Sequence, residues 1–209
     1  EPQQLKKQPV THGERVKMFS PSADPRKKIV PDYEKLARII KAWREACGIK
    51  VACTIGTWDL LHVGHQRYLS KAKEFGDILV VGADSDRAVK LYKGPTRPIN
   101  PQDERAEMLA YSAAVSFVTF VDDVSKEAGW QYGLLDYIQP DVFVAVEDSY
   151  PEEQREEIRK RCGELIVLPR QAADTSTTSN IRKLMIGDAH ELAEGIQKFI
   201  SEFLQGRGK

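Results

Sequence analysis

The chain predicts an α/β domain of the Rossmann-like kind, a doubly wound parallel sheet of about five strands with helices on both faces. Short β-prone runs recur at 51–55, 78–81, 116–121, 142–146 and 165–168. They are rich in β-branched residues and nearly all apolar, the character of strands buried on both faces. Helical patterns alternate with them near 63–75, 101–113, 129–137 and 151–161, and two more follow at 178–186 and 189–204. Alternation of this kind argues for parallel pairing through crossover helices.

The elements follow in order. Residues 1–30 are polar and carry much Pro, Lys and Gln, so they read as a mobile arm. Pro31 suits a first helical position, Leu36, Ile39, Ile40 and Trp43 recur at helical spacing, and Gly48 stops the helix. Residues 1–49 thus form an arm plus a helix whose apolar stripe packs on the domain or on a partner subunit. The strand–helix alternation makes 50–186 the main domain. Residues 187–209 read as a final helix, with Asp188 as N-cap and Leu192, Ile196, Phe199, Ile200 and Phe203 on one stripe that packs on the domain.

Composition narrows the function classes. The 209 residues are 41% hydrophobic, enough to bury a core. Thirty-one basic residues offset thirty-one acidic ones, which gives no support for nucleic-acid or membrane binding. Cys47, Cys53 and Cys162 are far apart and odd in number, so a reducing, cytoplasmic compartment is expected and a metal site is not. No apolar run reaches membrane length and no signal peptide opens the chain. It begins with Glu1 instead of Met, which fits a piece of a longer protein. The common dinucleotide, P-loop and nucleophile-elbow fingerprints are absent.

One stretch carries chemistry: Gly56-Thr57-Trp58-Asp59-Leu60-Leu61-His62-Val63-Gly64-His65. It places two of the four histidines between the first core strand and a helix. Ligands of parallel sheets sit at the carboxyl ends of strands. Free backbone N–H groups and the helix dipole favour an anion there. Imidazoles three residues apart can point the same way and donate to phosphate oxygens. A zinc half-site is the competing reading, but no further Cys or His cluster completes it. Late in the chain, Thr177, Thr178 and Ser179 open another helix. Three hydroxyl residues exceed what capping needs and suit β- and γ-phosphates.

Together these motifs resemble the cytidylyltransferase-like nucleotidyltransferase superfamily. The first is similar to its Gly-Thr-Phe-Asp-x-x-His-x-Gly-His signature, with Trp58 in place of Phe, a change of size but not of character. Residues 177–182 resemble its Ser-Ser-Thr-x-Ile-Arg helix start. Lys93-Gly94-Pro95-Thr96-Arg97-Pro98-Ile99-Asn100-Pro101 with Arg105 resembles heptose-phosphate adenylyltransferases, whereas Leu168-Pro169-Arg170 is closer to glycerol-3-phosphate cytidylyltransferases. The resemblance covers about residues 50–186. It departs at 144–150, where Val-Ala-Val-Glu-Asp-Ser-Tyr stands in place of the heptose enzymes' Val-Lys-Gly-Gly-Asp-Tyr; Asp148 remains, and the lost lysine and glycines put acceptor and base in question.

What the resemblance implies is nucleotidyl transfer. An acceptor phosphate attacks the α-phosphorus of ATP or CTP in line and pyrophosphate leaves. His62 and His65 steady the α-phosphate, and Lys93, read as lying in a loop, bridges donor and acceptor phosphates. Thr177, Thr178 and Ser179 hold pyrophosphate, which Arg170 and Mg²⁺ neutralise. Gly56, Thr57, Trp58, Asp59, Gly64 and Asp148 belong to the nucleotide site. Arg105 is either a phosphate fork or a surface helix arginine, Arg97 a pin for its own loop, and Asp59 an organiser of backbone, a holder of Mg²⁺ through water, or a turn former. The expected acceptor is a sugar or polyol phosphate. Alternatives are a lipid-headgroup phosphate, flavin mononucleotide, or a non-catalytic nucleotide-binding regulatory module. Homodimers are usual among similar enzymes, so a dimer is expected.

Overall fold

The structure is a computed structural model that describes residues 24–127 and 129–172, and beyond them 181–182, 185–186, 189 and 191–198. Five strands form one parallel sheet: β1 (Val51–Gly56), β2 (Ile78–Asp84), β3 (Phe117–Val121), β4 (Val142–Val146) and β5 (Glu164–Leu168), in the order β3-β2-β1-β4-β5. Helices α1 (Tyr33–Cys47), α2 (Val63–Lys73), α3 (Asp86–Lys93), α4 (Gln102–Ala110), α5 (Gly133–Ile138) and α6 (Glu152–Arg159) accompany them, and residues 191–198 are helical as well. The doubly wound α/β class is therefore present as expected.

Alternation along the strands splits the core into two layers. Ala52, Leu79, Val81, Val118, Val142 and Val144 face α2 and α4, where Leu69, Ala72, Ala106 and Leu109 cover them. Val51, Cys53, Val80, Phe143 and Ala145 face the other way, onto Leu36 and Ile40 of α1, Leu134, Leu135 and Ile138 of α5, and Ile158 of α6. The apolar stripe of α1 thus packs on the domain, with Leu36 and Ile40 at most 1% exposed.

Several boundaries differ from the sequence reading. Helix α1 begins at Tyr33, because the Asp32 carboxylate caps it by accepting from Lys35 N–H at 3.0 Å. Gly48 ends it in the left-handed region, φ 64°. The end of the expected arm is ordered structure: Pro25–Lys28 forms a 3-10 turn, Ile29 bridges to Val118, and Val30 is buried. Helix α3 had no counterpart in the sequence reading; Ser85 caps it, its Oγ accepting from Ala88 N–H at 3.0 Å. Helix α5 starts only at Gly133, because Tyr132 takes φ 60°. Strand β5 is an edge on which Glu164 and Val167 are exposed, Val167 at 39%. Of the final stripe, Leu192 and Ile196 are 65% and 50% exposed, so these two residues are not packed on the domain.

The winding reverses at β1. Strands β2 and β3 lie to one side of it, β4 and β5 to the other. Strand β1 pairs with β2 over six residues, but with β4 only through Ala52–Val142 and Cys53–Phe143. The residues that follow on these two strands, Ile55 and Gly56 on one and Ala145 and Val146 on the other, line a cavity of about 560 Å³. Such a switch point is where open parallel sheets take their ligands. No described helix is long and apolar enough to cross a membrane.

Candidate active site

The first wall of the cavity is the turn from β1 into α2. His62 is the N-cap of α2, and its Nδ1 accepts from Gly64 N–H at 3.1 Å. His65, one turn on, returns the arrangement: its Nδ1 accepts from His62 N–H at 3.3 Å. The two rings lie against each other with centroids 3.9 Å apart. Because each Nδ1 accepts a backbone proton, a neutral ring carries its own proton on Nε2. Burial pushes His65 down to about 4, with help from His62 and Lys93 and opposition from Asp59. Burial also lowers His62. Near neutral pH the pair is thus two uncharged imidazoles with Nε2–H as their donors. No hydrogen bond takes either Nε2–H among the described residues.

The glycines make this packing possible. A Cβ on Gly64 would lie 3.0 Å from Ala172 Cβ and 3.0 Å from His62 Nδ1. A Cβ on Gly56 would lie 3.3 Å from the Trp58 ring. Trp58 is buried, takes φ 56°, and sits edge-on to His65 at 5.7 Å. Its Nε1–H donates to the Gly82 carbonyl at 2.8 Å. A phenylalanine has no such donor, so the Trp58 replacement does change the character of the residue.

The second wall comes from α3 and the loop after it. Lys93 is the last residue of α3, not a loop residue, and its Nζ donates to Thr57 Oγ1 at 2.8 Å. Asp59 is 2% exposed and accepts from Ile99 N–H at 2.9 Å and Asn100 N–H at 3.0 Å. Arg97 pairs with it at 2.8 Å. Asp59 is therefore the peg on which residues 97–100 hang, and Arg97 both pins its loop and lines the cavity. Of the roles weighed for Asp59, the backbone organiser fits.

Arg105 corrects the sequence reading. It is 1% exposed, so it is not a surface residue, and it does not line this cavity. Its guanidinium donates to the carbonyls of Asn100 at 3.0 Å, Asp84 at 2.7 Å and Thr57, and to Asp86 Oδ1 at 2.8 Å. With these four acceptors engaged it clamps three segments together behind the site and cannot act as a phosphate fork.

The third wall is the end of β4 and the chain after β5. Arg170 lies beside Asp148, its Nε donating to Asp148 Oδ2 at 2.8 Å. Both are about half exposed and both line the cavity. Tyr150 closes the floor: its hydroxyl donates to the Ile55 carbonyl at 3.2 Å, and its ring stacks on Trp130. Tyr68, Ser149, Tyr150 and Gln171 line the cavity and were missed as site residues, whereas Arg97, weighed above as a loop pin, lines it as well. Tyr68 alone had a legible signal, standing three residues after His65 on the same helix. Thr177, Thr178 and Ser179 lie outside the described residues. The structure therefore gathers Gly56, Thr57, Trp58, Asp59, His62, Gly64, His65, Lys93, Asp148 and Arg170 around one cavity and leaves Arg105 outside it.

Comparison with known proteins agrees with this geometry. Residues 53–186 match the Cytidylyltransferase-like family. The chain is 39% identical over 162 residues to the bifunctional protein HldE of Sulfurimonas denitrificans, covering 77% of this chain and 32% of that one. It is 38% identical to the bifunctional protein HldE of Klebsiella pneumoniae, with the same coverage. The chain thus spans about a third of the length of these curated relatives. A solved structure, the lipopolysaccharide core biosynthesis protein of Thermoplasma volcanium, superposes with TM-score 0.51 at 23% identity, covering 59% of this chain and 98% of that one, and shares the fold. The match runs from within β1 past Arg170 and takes in the histidine turn, so the chain belongs to the cytidylyltransferase-like family of nucleotidyltransferases.

Proposed function

We propose that the protein transfers a nucleotidyl group from ATP or CTP to a sugar or polyol phosphate and releases pyrophosphate. The observation that carries this reading is the closely paired, backbone-locked imidazoles at the start of α2, facing one cavity with Lys93 and Arg170. Donors fixed in place before the substrate arrives stabilise charge developing on a phosphoryl group without reorganisation. The Lys93 ammonium offsets the repulsion between two phosphates brought together for in-line attack. No covalent enzyme intermediate is needed, because the acceptor phosphate is itself an anionic nucleophile. The likeness of residues 93–101 to heptose-phosphate adenylyltransferases favours ATP and a phosphorylated sugar.

Mg²⁺ is part of this proposal as the partner of the triphosphate. Asp59 is committed to the 97–100 loop, and no group of three or more His, Cys, Asp or Glu side chains suited to a metal occurs among the described residues. The ion would therefore be held chiefly by phosphate oxygens and water. A homodimer remains part of the proposal, on the resemblance alone.

The test is pyrophosphate release with a panel of sugar, polyol and headgroup phosphates, each with ATP or CTP. His65→Ala, folded, is expected to lose at least about a hundredfold in turnover, near 2.7 kcal/mol by comparison with the loss of one oxyanion donor. Near-normal turnover by that variant would contradict the mechanism. Nucleotide binding without release across the whole panel would instead favour a regulatory module.

A further inference from the structure

The chain that holds Lys93 continues behind the cavity wall. Thr57 Oγ1, which accepts from Lys93 Nζ at 2.8 Å, lies 2.7 Å from the Tyr92 hydroxyl and 3.3 Å from Asp84 Oδ2. The Tyr92 hydroxyl in turn donates to Asp84 Oδ2. Asp84 is the last residue of β2, and Tyr92 precedes Lys93 on α3. Neither lines the cavity.

The ends of this chain fix the direction of every bond in it. An ammonium only donates and an ionised carboxylate only accepts. Lys93 therefore donates to Thr57, the Thr57 hydroxyl donates to Tyr92 or Asp84, and Tyr92 donates to Asp84. Two hydroxyls converge on the same carboxylate oxygen, Oδ2, which marks that oxygen as an acceptor. Thr57 is left with its lone pairs turned to Lys93. Its own carbonyl is held from behind by Arg105, which also takes the Asp84 carbonyl, so Thr57 and Asp84 rest on one buried clamp.

We propose that Asp84 and Tyr92 are positioning residues for the nucleotidyl-transfer reaction, acting through Thr57 to hold the Lys93 ammonium charged and in one place on the cavity wall. The inference rests on the function proposed above only for what Lys93 does; the positioning is a property of this chain's own side chains. The charged groups facing Lys93 come from four other segments. Asp84 and Asp59 favour its charged form, Arg97 and Arg105 oppose it, and burial opposes it most. The nearby His65 imidazole is neutral. Burial likewise raises the Asp84 carboxyl, against hydrogen bonds from Tyr92 and Thr57 and the charges of Lys93 and Arg105. Lys93 and Asp84 are thus mutually dependent: each charge favours the ionised form of the other against burial. Tyr92 also lends the cation its ring, 5.5 Å from Nζ.

The experiment reads Lys93 directly. Competitive amine acetylation of the full chain, followed by mass spectrometry across pH, gives the titration midpoint of each lysine without requiring turnover. In Asp84→Asn the Lys93 midpoint is expected to fall by about one unit or more, within the range an adjacent opposite charge produces. In Tyr92→Phe it falls by less, because the carboxylate remains. The exposed Lys90 does not move in either variant. If Asp84→Asn fails to fold, Tyr92→Phe, whose residue is 46% exposed, decides the matter alone. A Lys93 midpoint unchanged in the folded variants would overturn the proposal. The alkaline limb of the turnover profile should move with the midpoint. A shifted midpoint in a protein that transfers nothing would leave the positioning standing and sink the function, whereas transfer with an unmoved midpoint would do the reverse.

Discussion

Replacing Arg105 separates two meanings of a buried arginine. Its guanidinium donates to the carbonyls of Thr57, Asp84 and Asn100 and to the Asp86 carboxylate. In Arg105→Leu those three carbonyls lose a charged donor in a place where the arginine itself is 1% exposed. Removing one partner from a buried network of this kind costs about 3–5 kcal/mol. That is a large share of the roughly 5–15 kcal/mol that holds a domain folded. With a urea slope of about 2 kcal/mol/M, the midpoint should fall by about 1.5–2.5 M. Arg105→Lys should fall nearly as far, because an ammonium cannot span acceptors drawn from three segments. The assay is urea unfolding followed by fluorescence, with triphosphate affinity measured by calorimetry on the folded variants. A midpoint within about 0.3 M of wild type, together with a large loss of triphosphate affinity in Arg105→Lys, would restore the phosphate-binding role and refute the clamp.

Three further expectations follow from the packing around the site. Gly64→Ala should cut turnover at least about tenfold while changing stability little, since the new Cβ meets the His62 ring and Ala172 at 3.0 Å; steady-state kinetics beside a thermal melt checks it. His65 has a folded-state pKa of about 4, below its ordinary 6.5, so between those values the unfolded chain binds more protons. Its contribution is complete above about pH 6.5 and is lost as pH falls toward 4, and His65→Gln should flatten that part of the urea-midpoint profile. Leu36→Ala should cost about 2–5 kcal/mol, because this side chain is wholly buried, and deletion of residues 1–49 should therefore give a destabilised domain unfit for judging oligomeric state.

The sheet was legible because its signal is local. Each strand core is a short run of β-branched and apolar residues, and 142–146 coincides with β4 residue for residue. Helix α3 escaped notice because Asp-Arg-Ala-Val-Lys-Leu-Tyr-Lys is mostly polar and only two turns long. Ser85 and Gly94 nonetheless bracket it as cap and stop. The histidine turn and Lys93 were legible as site residues through their motif. Arg105 was misplaced because burial there depends on the Thr57 and Asp84 carbonyls arriving from distant segments beside that of Asn100, and no local pattern encodes that. Asp84, Tyr92 and Tyr150 were invisible as parts of a site for the same reason: each acts through a partner from another segment, separated from it by 27, 35 and 95 positions respectively.

The short ladder between the first and fourth strands leaves the ligand end of the sheet open between two lips. Only two ladder pairs tie these strands, and two phenols bridge them further along: Tyr68, bonded to Thr54 Oγ1 and the Val144 carbonyl, and Tyr150, bonded to the Ile55 carbonyl. The imidazoles and Lys93, proposed above to meet phosphate, hang from one lip; the segment that departs from the heptose enzymes, 144–150, hangs from the other, with Arg170 beside it. On the proposed function, phosphate chemistry rests chiefly on the first lip and acceptor preference on the second, so residues 144–150 are where an engineer would begin to change the acceptor.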